Sequence, residues 1–197
     1  DVERRRVVIT GMGILCPTGN TVEEAWGNAK QGKSGIAQIT RFDPSNIENK
    51  FAGEVKNFDP VKIMGRRDAR RADRVTQFAL YATAQALKDS GLEITPENQY
   101  DIGAIIGTGI GGLVTIIDYH SRYLERGQKA VSPLFVPMML PNIPSGKIAI
   151  EHGLRGPNFA IVTACATGTN SIGESTEIIR NGRANVMLAG GCEAAIE

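Results

Sequence analysis

Four short apolar runs, each closed by glycine or other small residues, constrain the fold more than any other feature of this chain. They are Val7 to Thr10, closed by Gly11-Met12-Gly13; Asp101 to Gly107; Phe159 to Val162, leading into Ala164-Cys165-Ala166; and Val186 to Ala189, closed by Gly190-Gly191. Continuous rather than alternating apolar character fits strands covered on both faces, as in a parallel sheet layered with helices. Helical stretches separate them. Thr21-Val22-Glu23-Glu24 is a capping box that opens a helix expected to stop at Gly32. Val75, Phe78, Ala79, Ala82 and Ala86 share one face of a helix ending near Gly91. Residues 113–126 read as helical throughout. On a further helix ended by Asn181-Gly182, the positions Cys165, Thr169, Ile172, Thr176 and Ile179 share a face, and the small residues around it predict an interior helix. Residues from about Lys33 to Pro60 read as a long surface excursion. The order β-α-(long loop)-α-β-α-α-β-α-β predicts an α/β layered sandwich with a mostly parallel, buried sheet.

At 197 residues the chain has ample length to bury a core. A 42% hydrophobic, 22% charged composition with net charge +1 gives no global reason to expect nucleic acid, and the apolar runs are far too short to span a membrane. The three cysteines, at 16, 165 and 192, form neither a disulfide framework nor a metal-ligand pair, so no metal is expected and a reducing cytoplasm is the natural compartment. Asp-Val-Glu-Arg-Arg-Arg leads directly into a strand, so no signal peptide is expected.

Chemistry concentrates at the third run. Ile161 to Gly173 reads as a short strand, a tight turn of small residues and a helix start, with the thiol of Cys165 at the junction. A free thiol has a pKa of about 8.5, and a helix N-terminus lowers it. Ala164, Ala166 and Gly168 leave room for a large substrate. The competing reading is a small buried hydrophobe, the usual fate of an intracellular cysteine. A second feature is the basic run Met64 to Arg74, with Arg66, Arg67, Arg70 and Arg71 gathered around a helix start, where cations oppose the macrodipole. An anionic partner explains that placement; a solvated charge run with internal Asp pairs is the alternative. Gly107-Thr108-Gly109-Ile110-Gly111-Gly112 formally contains the dinucleotide fingerprint, but the acidic residue expected at the end of a second strand is missing. Pro133, Pro137, Pro141 and Pro144 punctuate a segment with Phe135, Met138, Met139 and Leu140 that suits a lipophilic pocket, a subunit interface or simply core. His120 and His152 have no context that marks either as a base for the thiol.

Taken together, VTACATGTNSIGE, LRGPNFAI, VMLAGGCEAAI, RRVVITGMGILCPTGNTVEEAW, SGIAQITRFDPS, IIGTGIGGL and SPLFVPMMLPNIPSG resemble, in the right order, the β-ketoacyl-acyl carrier protein synthases of the condensing-enzyme, thiolase-fold superfamily, and most of all the synthase II type of fatty acid synthesis. The resemblance covers residues 1–197 and corresponds to the N-terminal half of such an enzyme. It implies a thiolase-like fold with a buried nucleophile helix. It implies that Cys165 accepts an acyl chain as a thioester, that its backbone N–H helps form an oxyanion hole, and that malonyl-carrier protein is then decarboxylated and condensed. It further implies that Ile110 and Phe135 line the acyl pocket, Phe135 across a homodimer, and that Arg66, Arg67, Arg70 and Arg71 meet the acidic acyl carrier protein. No cofactor beyond the carrier protein's phosphopantetheine is implied.

The family's catalytic histidines, its lysine and the second oxyanion donor belong to the second half, and neither His120 nor His152 matches them. The chain alone is therefore expected to be inactive for condensation. A non-catalytic split or chain-length-factor-like partner is the alternative, against which the retention of Cys165 argues. Cys16 and Cys192 are expected to be structural.

Overall fold

The computed structural model describes residues 5–196, so residues 1–4 of the expected leader-free start, and Glu197, lie outside the described residues. Helix α1 (Val22–Lys30) begins where the capping box places it. The Thr21 hydroxyl accepts the Glu24 N–H at 3.2 Å, while the Glu24 carboxylate reaches back to the Asn20 N–H at 2.8 Å. Gly32, at φ +66°, turns the chain away two residues after the helix.

The surface excursion has more structure than expected. Strands β1 (Ile36–Gln38) and β2 (Phe51–Gly53) form an antiparallel pair. Buried Glu54 ties it down by accepting the Thr40 hydroxyl at 2.7 Å and the N–H groups of Thr40 and Arg41 at 2.9 and 3.1 Å. Next come α2 (Pro60–Ala69), interrupted by Gly65 at φ +76°, and α3 (Arg74–Ser90), which ends in left-handed Gly91. The remaining order is β3 (Ile102–Gly107), α4 (Leu113–Arg126), α5 (Phe135–Met139), α6 (Ile143–His152), β4 (Asn158–Phe159), α7 (Thr167–Arg180) and β5 (Val186–Gly191).

Strand β3 is the axis of the domain. It pairs in parallel with β4 on one side and with β5 on the other, Ile102 facing Val186 and Gly107 facing Gly191. All six of its residues are buried. Their alternation sorts two cores: Ile102, Ala104 and Ile106 pack with Ala79 of α3 and Ile148 of α6, whereas Ile105 packs with Ile178 of α7. Three layers result, α3 and α6 on one face of the sheet and α7 on the other. Each isoleucine sealed in this way contributes about 1.5–3 kcal/mol of apolar burial. Ser145 of α6 stitches the sheet from within. Its hydroxyl accepts the Ile106 N–H at 2.6 Å and donates to Phe159 O at 2.9 Å, bridging β3 to the short edge strand.

Three expectations are corrected. Val7 to Thr10 has no regular secondary structure: among the described residues it joins no ladder, and Val8 and Ile9 are exposed. The chain beyond it lies instead along α3: Met12 N–H donates to Asp89, and a side chain at Gly11 or Gly13 would strike the carbonyls of Ala86 or Ala82. The third strand stops at Phe159, leaving Val162 exposed. Helix α7 is not interior. It buries Thr167, Ser171, Ser175 and Ile178, while the face bearing Cys165, Thr169 and Ile172 is open. An apolar run or a face of small residues records that a surface suits burial; it does not say which surface covers it.

Candidate active site at the end of the central strand

The C-terminal end of β3 is where three turns meet. Gly107, the last residue of the strand, has no room for a side chain because Ile161 O and the Thr167 methyl occupy that space. A Cβ on Gly191 would lie 2.9 Å from Gly168 Cα, so the end of β5 and the start of α7 touch backbone to backbone. Small residues are therefore required on all three turns.

Cys165 sits in the middle of this meeting point, within a single turn formed by Ala164–Ala166 just before α7. Ala164 adopts φ +50°, a conformation rare outside glycine that costs about 1–3 kcal/mol and persists only where neighbours hold it. Those neighbours are visible. The Thr163 N–H donates to the Thr167 hydroxyl at 2.9 Å, Asn170 Nδ2 donates to the Thr163 hydroxyl at 2.8 Å, and the Ala166 N–H donates to Thr163 O at 3.1 Å. The Cys165 side chain, so placed, is exposed. Its backbone N–H has no acceptor among the described residues and stands at the start of α7, where orphan donors collect.

The glycine-rich turn lies alongside: a Cβ on Gly109 would be 3.7 Å from Ala164 Cα. Ile110 is about half exposed at the tip of this turn. Phe135 is half-buried at the start of α5, its ring 5.3 Å from that of Tyr119. Segment α5 reaches the same turn through Gly112 N–H, which donates to Met139 O at 3.0 Å. The turn's groove for an anion is already filled by the Glu193 carboxylate, which accepts the Gly109 and Ile110 N–H groups at 3.0 and 3.2 Å. A pyrophosphate there would meet negative charge, which agrees with setting the dinucleotide reading aside.

Arg66, Arg67, Arg70 and Arg71 are all exposed, and among the described residues none of them makes an ion pair. Their placement differs from expectation. Arg66 and Arg67 occupy the last turn of α2, where cations suit the macrodipole, because Pro60 opens a helix that sequence reading missed. Only Arg70 and Arg71 precede α3. Asp73, the expected internal partner, is buried and turned inward, accepting the Thr115 hydroxyl at 2.6 Å and the Val75 N–H at 3.0 Å. Four unpaired guanidinium groups on one exposed stretch remain.

His152 ends α6, just before the chain bonds Gly156 N–H to Ile102 O at the opposite end of β3. The six residues of β3 hold that end about 16 Å from the Cys165 end. Burial holds its pKa below the usual histidine value, opposed by Glu151. His120 is exposed on α4. Among the described residues neither histidine is hydrogen-bonded to the Cys165 thiol. Asp73, Ser145 and Glu193 are the site-supporting residues that sequence reading missed; only Asp73, two residues before an apolar helix face, carried a local signal, that of an N-cap.

Residues 4–197 match the family described as beta-ketoacyl synthase, N-terminal domain. The chain belongs to the β-ketoacyl synthase family. It is 50% identical over 194 residues to a 3-oxoacyl-[acyl-carrier-protein] synthase 2 of Vibrio harveyi, covering 98% of this chain and 47% of that protein. A Synechocystis protein of the same name is 45% identical across 100% of this chain and 47% of its own length. Among solved structures, the ishigamide ketosynthase/chain length factor superposes with TM-score 0.87 at 30% identity, over 98% of this chain and 49% of that one. A type II polyketide ketosynthase solved with its acyl-carrier protein superposes with TM-score 0.80 at 26% identity, over 95% of this chain and 50% of that one. The chain thus spans about half the length of these β-ketoacyl synthase relatives, and the thiolase-like layered α/β sandwich expected from sequence is the fold found. No helix among the described residues is long and apolar enough to cross a membrane.

Proposed function

We propose that this chain is the nucleophile-bearing, N-terminal half of a 3-oxoacyl-[acyl carrier protein] synthase of fatty acid synthesis, working in the cytoplasm. The observation that carries the reading is Cys165 itself, exposed on a strained turn that three side-chain and backbone bonds hold at a helix start. The Cys165 thiolate attacks the carbonyl carbon of an acyl thioester. A new C–S bond forms as the bond to the phosphopantetheine sulfur breaks, and the carrier protein leaves as a thiol after taking up a proton. The unpartnered Cys165 N–H is one donor to the oxyanion of that step. Decarboxylation of malonyl-carrier protein then supplies a carbanion that attacks the acyl-cysteine, releasing carbon dioxide and the 3-oxoacyl product and returning the thiolate. That second step requires acid–base groups which neither His120 nor His152 is placed to provide, so it falls to a C-terminal half.

Arg66, Arg67, Arg70 and Arg71 form the docking patch for the acidic carrier protein, and both substrates arrive on its phosphopantetheine, with no resident cofactor or metal needed. Ile110 lines the acyl pocket, and Phe135 reaches it across a homodimer. The open face of α7 and the unpaired run Val7 to Thr10 are the surfaces such assembly covers. The test is reconstitution of condensation from this chain and a complementing C-terminal half. Formation of 3-oxoacyl-carrier protein and carbon dioxide in equal amounts supports the reading. Full activity of the C-terminal half paired with a Cys165→Ala chain overturns it and favours a non-catalytic partner.

A further inference from the structure

We propose that Glu193 is a positioning residue that fixes the Ile110 turn against Cys165 and thereby sets which acyl chains the cysteine accepts; this rests on Cys165 being the acyl acceptor. The turn after β3 has little to hold it by itself. It is built from glycine at 107, 109, 111 and 112, carries Gly111 at φ +86°, and presents three consecutive backbone donors, the N–H groups of Gly109, Ile110 and Gly111. Glu193, two residues beyond β5, supplies the acceptor. Its Oε2 takes the Gly109 N–H at 3.0 Å and the Ile110 N–H at 3.2 Å. The buried Thr108 hydroxyl lies 3.3 Å from each carboxylate oxygen and itself accepts the Gly111 N–H at 3.1 Å. Oε1 also accepts Ala194 N–H at 3.3 Å.

Two successive N–H groups converging on one oxygen form an anion nest, here filled by the chain's own carboxylate rather than by a ligand. Among the described residues Glu193 makes no ion pair, so these donors are the partners of its charge. The geometry then makes the turn a layer between two groups. A Cβ on Gly109 would lie 3.0 Å from Glu193 Oε2 on one side and 3.7 Å from Ala164 Cα on the other. Ile110, about half exposed, follows Gly109 in that layer with its own N–H on the carboxylate, so its distance from Cys165 is set by where the carboxylate holds the backbone.

The test has two readouts on Glu193→Gln. That change preserves shape but replaces an acceptor oxygen with an amide donor facing other donors. Amide exchange in the chain is expected to quicken about tenfold at residues 109–111, the scale of losing charge-assisted bonds, with β3 unchanged. The ratio of Cys165 acylation rates for long against medium acyl-carrier proteins, measured with the complementing half present, is expected to shift about fivefold at an unchanged melting temperature. Glu193→Asp, which keeps the charge but retracts it by one methylene, should fall between, and it is the variant to read if Glu193→Gln does not fold. Unaltered exchange at 109–111 overturns the positioning role, and altered exchange with an unaltered chain-length ratio overturns the link to selectivity. Failure of the unmodified protein to acylate at all would instead overturn the reading of Cys165, while the exchange result would still decide what Glu193 holds.

Discussion

Cys165 and Cys192 flank the same strand end and have opposite fates. Cys192 continues from β5: its N–H donates to Gly107 O at 3.0 Å and its side chain packs among two of the apolar clusters. Burial, with the nearby carboxylates of Glu193 and Asp73, pushes its thiol up to about 12, which keeps it protonated and inert. Cys165 follows Ala164, whose φ is +50°, and its side chain is exposed at a helix start. The local sequences are alike, a strand followed by small residues and a thiol. Backbone conformation, more than composition, decides which cysteine is exposed.

The largest effect that can break this contrast is on the nucleophile. Cys165→Ser should lower acyl transfer by at least about a thousandfold, as removal of a nucleophile does elsewhere, whereas Cys192→Ala should leave transfer close to normal and cost about 1 kcal/mol in urea unfolding. Comparable transfer by the two variants would abolish the distinction. Next comes the contact between the two cysteine-bearing turns. Gly191→Ala would bring a methyl to 2.9 Å from Gly168 Cα, and it should destabilise the chain by about 1–3 kcal/mol while slowing acylation of Cys165. A neutral result in both assays would mean that α7 is not seated on β5 as described.

A smaller effect concerns delivery. Reversing Arg67 and Arg70 to glutamate should raise KM for acyl-carrier protein about tenfold, leave kcat nearly unchanged, and flatten the salt dependence. Unchanged kinetics would return these arginines to a solvated surface. The smallest effect separates His152 from the site. Because its folded pKa lies below its unfolded value, the unfolded chain binds the proton more readily, so its contribution to stability is present at neutral pH and lost as pH falls through the histidine range. His152→Gln should flatten the melting temperature between about pH 7 and 5 without changing acyl transfer. A loss of transfer would place that histidine in the chemistry.

Much of the fold could be read from residues because its signals were local or periodic. The buried run of β3 and the 75, 78, 79 face of α3 emerged where expected. What failed was the assignment of partners. Val7 to Thr10 reads as a sheet strand, yet among the described residues it joins no ladder, and the α7 face that looked interior is open. Helix α2 escaped because Gly65 breaks its pattern, and with it went the dipole argument for Arg66 and Arg67. At the site, the turn that carries Cys165 just before a helix was legible from its small residues, although the strand expected to lead into it stops at Phe159. Glu193 was not, because it acts on the Ile110 turn from 83 residues away in sequence.

The most direct test of the account is the mass of the chain after incubation with acyl-carrier protein in the presence of a complementing C-terminal half, followed by peptide mapping. One acyl group per chain, carried on the peptide containing Cys165 and absent from Cys165→Ser, is the predicted result. An acyl group on Cys16 or Cys192, or none at all, would contradict it.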